Sequence, residues 1–341
     1  MNNKISKFST ALIILMVCAS NMQAALAVNC GDYIAANVVL TADLECDTGY
    51  VALEVANHNV TIDLNGFTLS GSSELAGISV NGFDNLVVKN GSIKGFWAGI
   101  NGFRSDRLNV DSVTFYEVGH GVIINAGNNA RVQNNDFIKT TGPAVFISVR
   151  SKFDSANQNL VSRNEFYRAA GGISICGSQA DKNVISDNLI WKSSSYGIHL
   201  NHSDRNQIYR NRVLETIDSA ALRLNNASYN TVKNNTFREG EHAGVSILGN
   251  AADGCLNSDF GFSGKNKLSE NQISEFQTGI ILGLGFADQR NVDGTGVFAN
   301  RITDNNIGIF SQSDARNSYG SDNNFTGTTR PVLDFGVNNR Y

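Results

Sequence analysis

NLVSRNEF (159–166), NVISDNLI (183–190), NQIYRNRV (206–213), NTVKNNTF (230–237) and NKLSENQI (266–273) are five versions of one phrase, N-x-apolar-x-x-N-x-apolar. Following its last apolar position along the chain gives Leu69, Ile93, Phe115, Phe137, Phe166, Ile190, Val213, Phe237, Ile273, Ile302 and Phe325. The spacings are 24, 22, 22, 29, 24, 23, 24, 36, 29 and 23 residues, a period that marks a repeat architecture of about eleven coils.

Each phrase is followed by a small residue and a short alternating run: GISV (77–80), GVII (121–124), GISI (172–175), GIHL (197–200), ALRL (221–224), GVSI (244–247) and GIIL (279–282). Alternation over so few residues predicts short strands with one buried face, and no stretch carries a helical period. Two or three strands and their turns per period predict one coil of an all-β solenoid.

Composition agrees. The 341 residues include 44 Asn, 33 Gly and only 2 Pro. Proline cannot donate to sheet ladders, and Asn suits tight turns. The second Asn of the phrase recurs as Asn135, Asn164, Asn188, Asn211, Asn235, Asn271, Asn300 and Asn323, always two before the apolar marker. Coils stacked at about 4.8 Å would let each amide bond the next, so a ladder is expected, with Asn also supplying unusual backbone angles at the turn. A formal charge of −4 and a pI near 5.7 provide no cationic field for nucleic acid.

Lys4 and Lys7, the apolar run 11–19 and Ala25-Leu26-Ala27 have the form of a secretory signal peptide over residues 1–27, making Val28 the expected mature N-terminus. The expected location is therefore periplasmic or extracellular, with no membrane span. Four cysteines remain, Cys30, Cys46, Cys176 and Cys255, and an oxidising compartment favours disulfides. Three pairings are open; the short loop favours Cys30–Cys46, which leaves Cys176–Cys255 by elimination. The expected organisation is an N-terminal cap over 28–50, the solenoid over 51–330 and a tail over 331–341.

With these repeats and the opening VTIDLNGFTLSG (60–71), the chain resembles the right-handed parallel β-helix proteins of the pectate lyase-like superfamily over roughly residues 50–330. The resemblance implies that fold. It spans pectate and alginate lyases, mannuronan C5-epimerases, galacturonases, phage depolymerases and periplasmic accessory proteins, so activity must be argued from the site. In that superfamily the groove beside the G-I-x-L strand commonly holds an oligosaccharide. Three insertions, near 149–158, 249–265 and 283–296, all follow that strand and would build a binding face.

Alternation places two outward rows on the G-I-x-L sheet. The first is Ser79, Asn101, Ile123, Phe146, Ser174, His199, Arg223, Ser246, Ile281 and Phe310; the second is Asn81, Phe103, Asn125, Ser148, Cys176, Asn201, Asn225, Leu248, Gly283 and Gln312. Both are expected to be exposed. Neither contains Asp or Glu, which disfavours a hydrolase needing two carboxyl groups and a calcium site needing acidic ligands. No cofactor and no metal are expected.

Uronate chemistry asks for other groups. Arg223 with Asn201 or Asn225 would neutralise the sugar carboxylate, His199 would take the C5 proton, and Tyr196 or His202 would act as the acid. Phe103 and Phe146 would stack on sugar rings. GIHLNHSD (197–204) lies where mannuronan C5-epimerases carry Asp-Pro-His-Asp, but Asn201 stands at the His position and His199 and His202 at the acidic ones, so no role is carried over. A Cys176–Cys255 bond would draw the 249–265 loop across His199 and Arg223 as a roof. The favoured reading is an exported monomeric lyase acting on an acidic polysaccharide by β-elimination. The alternatives are a noncatalytic β-helix binding glycan or a protein partner and, third, a glycoside hydrolase or uronate epimerase.

Overall fold

The computed structural model describes residues 28–249, 261–283 and 292–341. Every regular element among them is a β-strand, and among the described residues no helix is long and apolar enough to cross a membrane. The strands stack in parallel as a β-helix. One stack, here called the front sheet, holds thirteen strands from Asp32–Ile34 through Ile198–Asn201 to Arg330–Asp334, and thus about twelve turns.

The second stack carries the apolar marker. Leu69 pairs with Ile93, and the register continues through Phe115, Phe137, Phe166, Ile190, Val213, Phe237 and Ile273 to Ile302. All ten are buried, and the Phe115, Phe137 and Phe166 rings stack face to face at 4.9 and 4.8 Å. A third stack aligns Val132, Val161, Ile185, Ile208, Val232, Leu268 and Val297. The three apolar faces close on one continuous core, which the period of two within each strand and of one coil between strands makes possible.

Between the third and second stacks the chain must turn inside the core, and its backbone groups need partners there. The asparagine ladder supplies them. Each amide nitrogen from Asn135 to Asn300 donates to the Oδ1 of the next ladder Asn at 2.9–3.1 Å, ending on Asn323. The same Oδ1 also accepts the backbone N–H of the preceding ladder Asn. The first Asn of the phrase builds a parallel ladder through Asn159, Asn183, Asn206, Asn230 and Asn266.

One expectation changes. The ladder asparagines do not adopt the left-handed conformation; the residue before each one does, as Asn134, Arg163, Asp187, Arg210, Asn234, Glu270, Ala299 and Asp322 all have φ between 50° and 60°. The buried amide must point inward to meet its neighbours, so the strained angle falls on the outward residue. Charge then pairs along that column, as where Arg210 grips Asp187 at 2.7 and 2.8 Å and holds its carboxyl below the usual range.

The two prolines sit where they cost no ladder bond, Pro143 at the first position of its strand and Pro331 in the last front strand. At the other end, strands at Asp32–Ile34, Val38–Val39 and Leu44–Cys46 stack on the following coil, and Cys30 and Cys46 are disulfide-bonded with Cα atoms 5.5 Å apart.

Asn188 is buried and makes two side-chain donations and accepts two bonds. Asn188→Ala strands those partners inside the core and should lower unfolding free energy by roughly 3 kcal/mol in a denaturant titration. An outer ladder of Asp and Asn runs along a surface turn, where Asp181 accepts the Asp204 N–H and Asp204 that of Ser228. Burial, above all, raises the Asp204 carboxyl above its ordinary pKa. Its ionised form therefore penalises the fold at neutral pH, and the penalty disappears as pH falls below the unfolded carboxyl range. Asp204→Asn keeps the acceptor and should raise Tm by a few degrees at pH 7 but not in acid.

Candidate functional site

Register on the front sheet brings residues two dozen positions apart into contact. Ser174 pairs with His199, His199 with Arg223 and Arg223 with Ser246; beside them Cys176 pairs with Asn201, Asn201 with Asn225 and Asn225 with Leu248. His199 and Arg223 are half-buried. The second row, however, is not the exposed strip expected from alternation: Asn125, Ser148, Cys176, Asn201, Asn225 and Leu248 are all buried, Asn201 and Asn225 at 1% and 0% exposure. In the first row Ile123, Ser174 and Ser246 are buried too. Strand periodicity gives the direction of a side chain but not whether it stays in contact with water.

Asn225 joins the two functional side chains. Its Oδ1 accepts from Arg223 Nε at 3.0 Å, which fixes the amide, and its Nδ2 then faces His199 Nε2 at 3.2 Å. An amide nitrogen can only donate, so Nε2 is the acceptor in this contact. Tyr196 lies across Gly171 of the preceding coil, where a Cβ would come within 2.7 Å of its ring, and its ring centroid is 4.9 Å from that of His199. Tyr196, His199, Asn225 and Arg223 thus converge as one group. His202 sits apart, in the turn after the strand with φ 52°, and its Nε2 lies 3.1 Å from the Asn226 amide.

Phe146 is half-buried in the first row, with His120 stacked on it at 5.9 Å and Trp97 edge-on to His120 at 6.3 Å. Phe103 lies beneath the guanidinium groups of Arg104 and Arg150, at 4.9 and 5.2 Å. The insertion at 149–158 folds back toward earlier coils, where Asp154 meets Arg104 at 3.1 Å. It forms one wall beside the sheet; Trp97, His120 and Tyr196 line the opposite edge. Trp97 and His120 precede their strand's alternating run, so row reading missed them. Of the remaining cysteines, Cys176 is disulfide-bonded, while Cys255 and most of the other two insertions lie outside the described residues.

A cavity of about 610 Å³ opens at the corner ahead of the front sheet, between Arg168 and Lys192 on one side and Glu215, Glu239 and Glu241 on the other. The irregular pairing between Gly240 and Ala243 shapes that corner. Lys192 meets Glu215 at 3.6 Å and Arg238 pairs with Glu239, so two of these carboxylates already have cations.

A family profile described as "Right handed beta helix region" matches residues 45–175, and one described as "Periplasmic copper-binding protein (NosD)" matches residues 151–258. No curated protein matches by sequence. Among solved structures, the chain is similar to a variant of the periplasmic alginate epimerase AlgG, with TM-score 0.63 and 13% identity over 89% of this chain and 77% of that one. It is similar to PfbA, a surface adhesin of Streptococcus pneumoniae, with TM-score 0.58 and 14% identity over 87% and 85%. A third likeness is to the tailspike protein of E. coli bacteriophage HK620, with TM-score 0.61 and 14% identity over 86% and 61%. At these identities the likeness is one of fold, a right-handed parallel β-helix of the pectate lyase-like type.

Asn225→Asp preserves the acceptor for Arg223 and removes the donor facing His199. The imidazole then loses its amide partner, which should appear as a displaced His199 Cε1 proton resonance in NMR spectra recorded at one fixed pH.

Proposed function

We propose that this is an exported protein that binds an acidic polysaccharide along the front sheet and cleaves it by β-elimination. The observation that carries this reading is the convergence of Tyr196, at the edge of the sheet, with His199, Asn225 and Arg223 on two rows whose own residues include no Asp or Glu. Arg223, aided by the neighbouring amides, neutralises the uronate carboxylate and so acidifies C5. Neutral His199 takes the C5 proton once substrate displaces the Asn225 amide from Nε2. Electrons of the C5–H bond form the C4–C5 double bond, the C4–O bond breaks, and Tyr196 gives the leaving oxygen its proton. Phe146 offers a face for a sugar ring, and export accords with the Cys30–Cys46 disulfide and with the periplasmic and surface proteins that share the fold.

The copper of the matched profile's description does not fit this site. Among the described residues no three His, Cys, Asp or Glu side chains converge, and Cys176, on the same face, is held in a disulfide. No step runs through a metal. The second reading is a noncatalytic glycan binder or adhesin, and the near-complete burial of Asn201 and Asn225 favours it, because amides with almost no exposed surface are poorly placed to meet a substrate carboxylate.

The test is incubation of purified protein with alginate, polygalacturonate and glycosaminoglycans, followed by absorbance of the unsaturated product. Wild type should release it from at least one substrate, and His199→Ala and Arg223→Ala should each lower the rate a hundredfold or more. Binding without product supports the second reading, and equal activity in both variants removes this site.

A further inference from the structure

We infer that the coils of Trp97, His120 and Phe146 form a second sugar subsite, on the N-terminal side of His199, for another acidic residue of the same glycan chain. The inference rests on the glycan reading above and adds the direction in which the chain runs and what holds its far end.

Phe146 is two register steps from His199, about 10 Å along the sheet, with only the small, buried Ser174 between them. A chain leaving His199 toward the N-terminal coils therefore passes one small side chain and then meets a ring face. That face is held in place: His120 stacks on Phe146, its Nδ1 lies 2.9 Å from the Pro143 carbonyl and so carries the proton, and Trp97 closes the edge at 36% exposure. An aromatic wall of three rings with one side open to solvent suits the C–H face of a pyranose.

The opposite wall supplies charge. Arg104 is already paired with the buried Asp154. Arg150, exposed and stacked on Phe103, has no acidic partner among the described residues. It is positioned to take a carboxylate. Between the walls, in register with Phe103 and Ser148, Asn125 is only 7% exposed, and its Oδ1 accepts no hydrogen bond. A buried amide oxygen without a donor is costly, and a sugar hydroxyl would satisfy it. Ring face, cation and acceptor together describe a uronate residue.

The experiment is calorimetric titration of the full chain with disaccharides and hexasaccharides prepared from alginate and from polygalacturonate. Trp97→Ala and Arg150→Gln are compared with wild type, with thermal melts as the check on folding. The subsite predicts that hexasaccharide affinity falls about tenfold in each variant while disaccharide affinity is unchanged. Unchanged hexasaccharide affinity in both variants, or equal losses for both lengths, would overturn the subsite but leave the glycan reading standing. Should Trp97→Ala melt early, Arg150→Gln, which alters only an exposed side chain, decides alone. A wild-type protein that binds neither length of either glycan overturns the glycan reading and the subsite together.

Discussion

A polypeptide that coils around its own axis must turn sharply inside each coil, and a turn facing the core leaves backbone groups that water cannot reach. The buried asparagine amide is the answer this chain repeats. Its oxygen takes two N–H groups from one neighbouring coil, and its nitrogen gives to the other coil and to a strand carbonyl, so every ladder amide depends on those on either side. Register follows from this dependence. A slip by one residue would remove an amide from its neighbours and turn the apolar face of the next strand outward.

Register in turn creates the site. His199 and Arg223 belong to different repeats and share no local motif, yet each stands on the same row of consecutive coils. Asn225 makes them one unit by presenting its oxygen to the guanidinium and its amino group to the imidazole. Through this one amide the imidazole and the guanidinium are held in a fixed relation across two coils.

Most of the architecture could be read from the sequence because both of its periods are short and regular. The ladder of eight asparagines, the apolar column and the pairing of His199 with Arg223 all follow from the phrase and the G-I-x-L run. What could not be read depends on irregular segments. The burial of Asn201 and Asn225 does not follow from alternation along their strands, and Trp97 and His120 reach the groove from positions before the alternating run begins. The left-handed residues escaped for a different reason: Arg163, Arg210 and Glu270 are poor turn formers by type, and only the amide after each one explains why they take that angle.

The interior amide chain begins at Asn135, three coils beyond the first apolar rung at Leu69, and the coils before it rely on surface turns, their share of the core and the Cys30–Cys46 link. The rod is therefore uneven along its length. Pulled by its termini under reducing conditions, it would unwind coil by coil from the N-terminal end and stall where the amides start, leaving the segment that bears His199 and Arg223 wound after its leading coils have been drawn out.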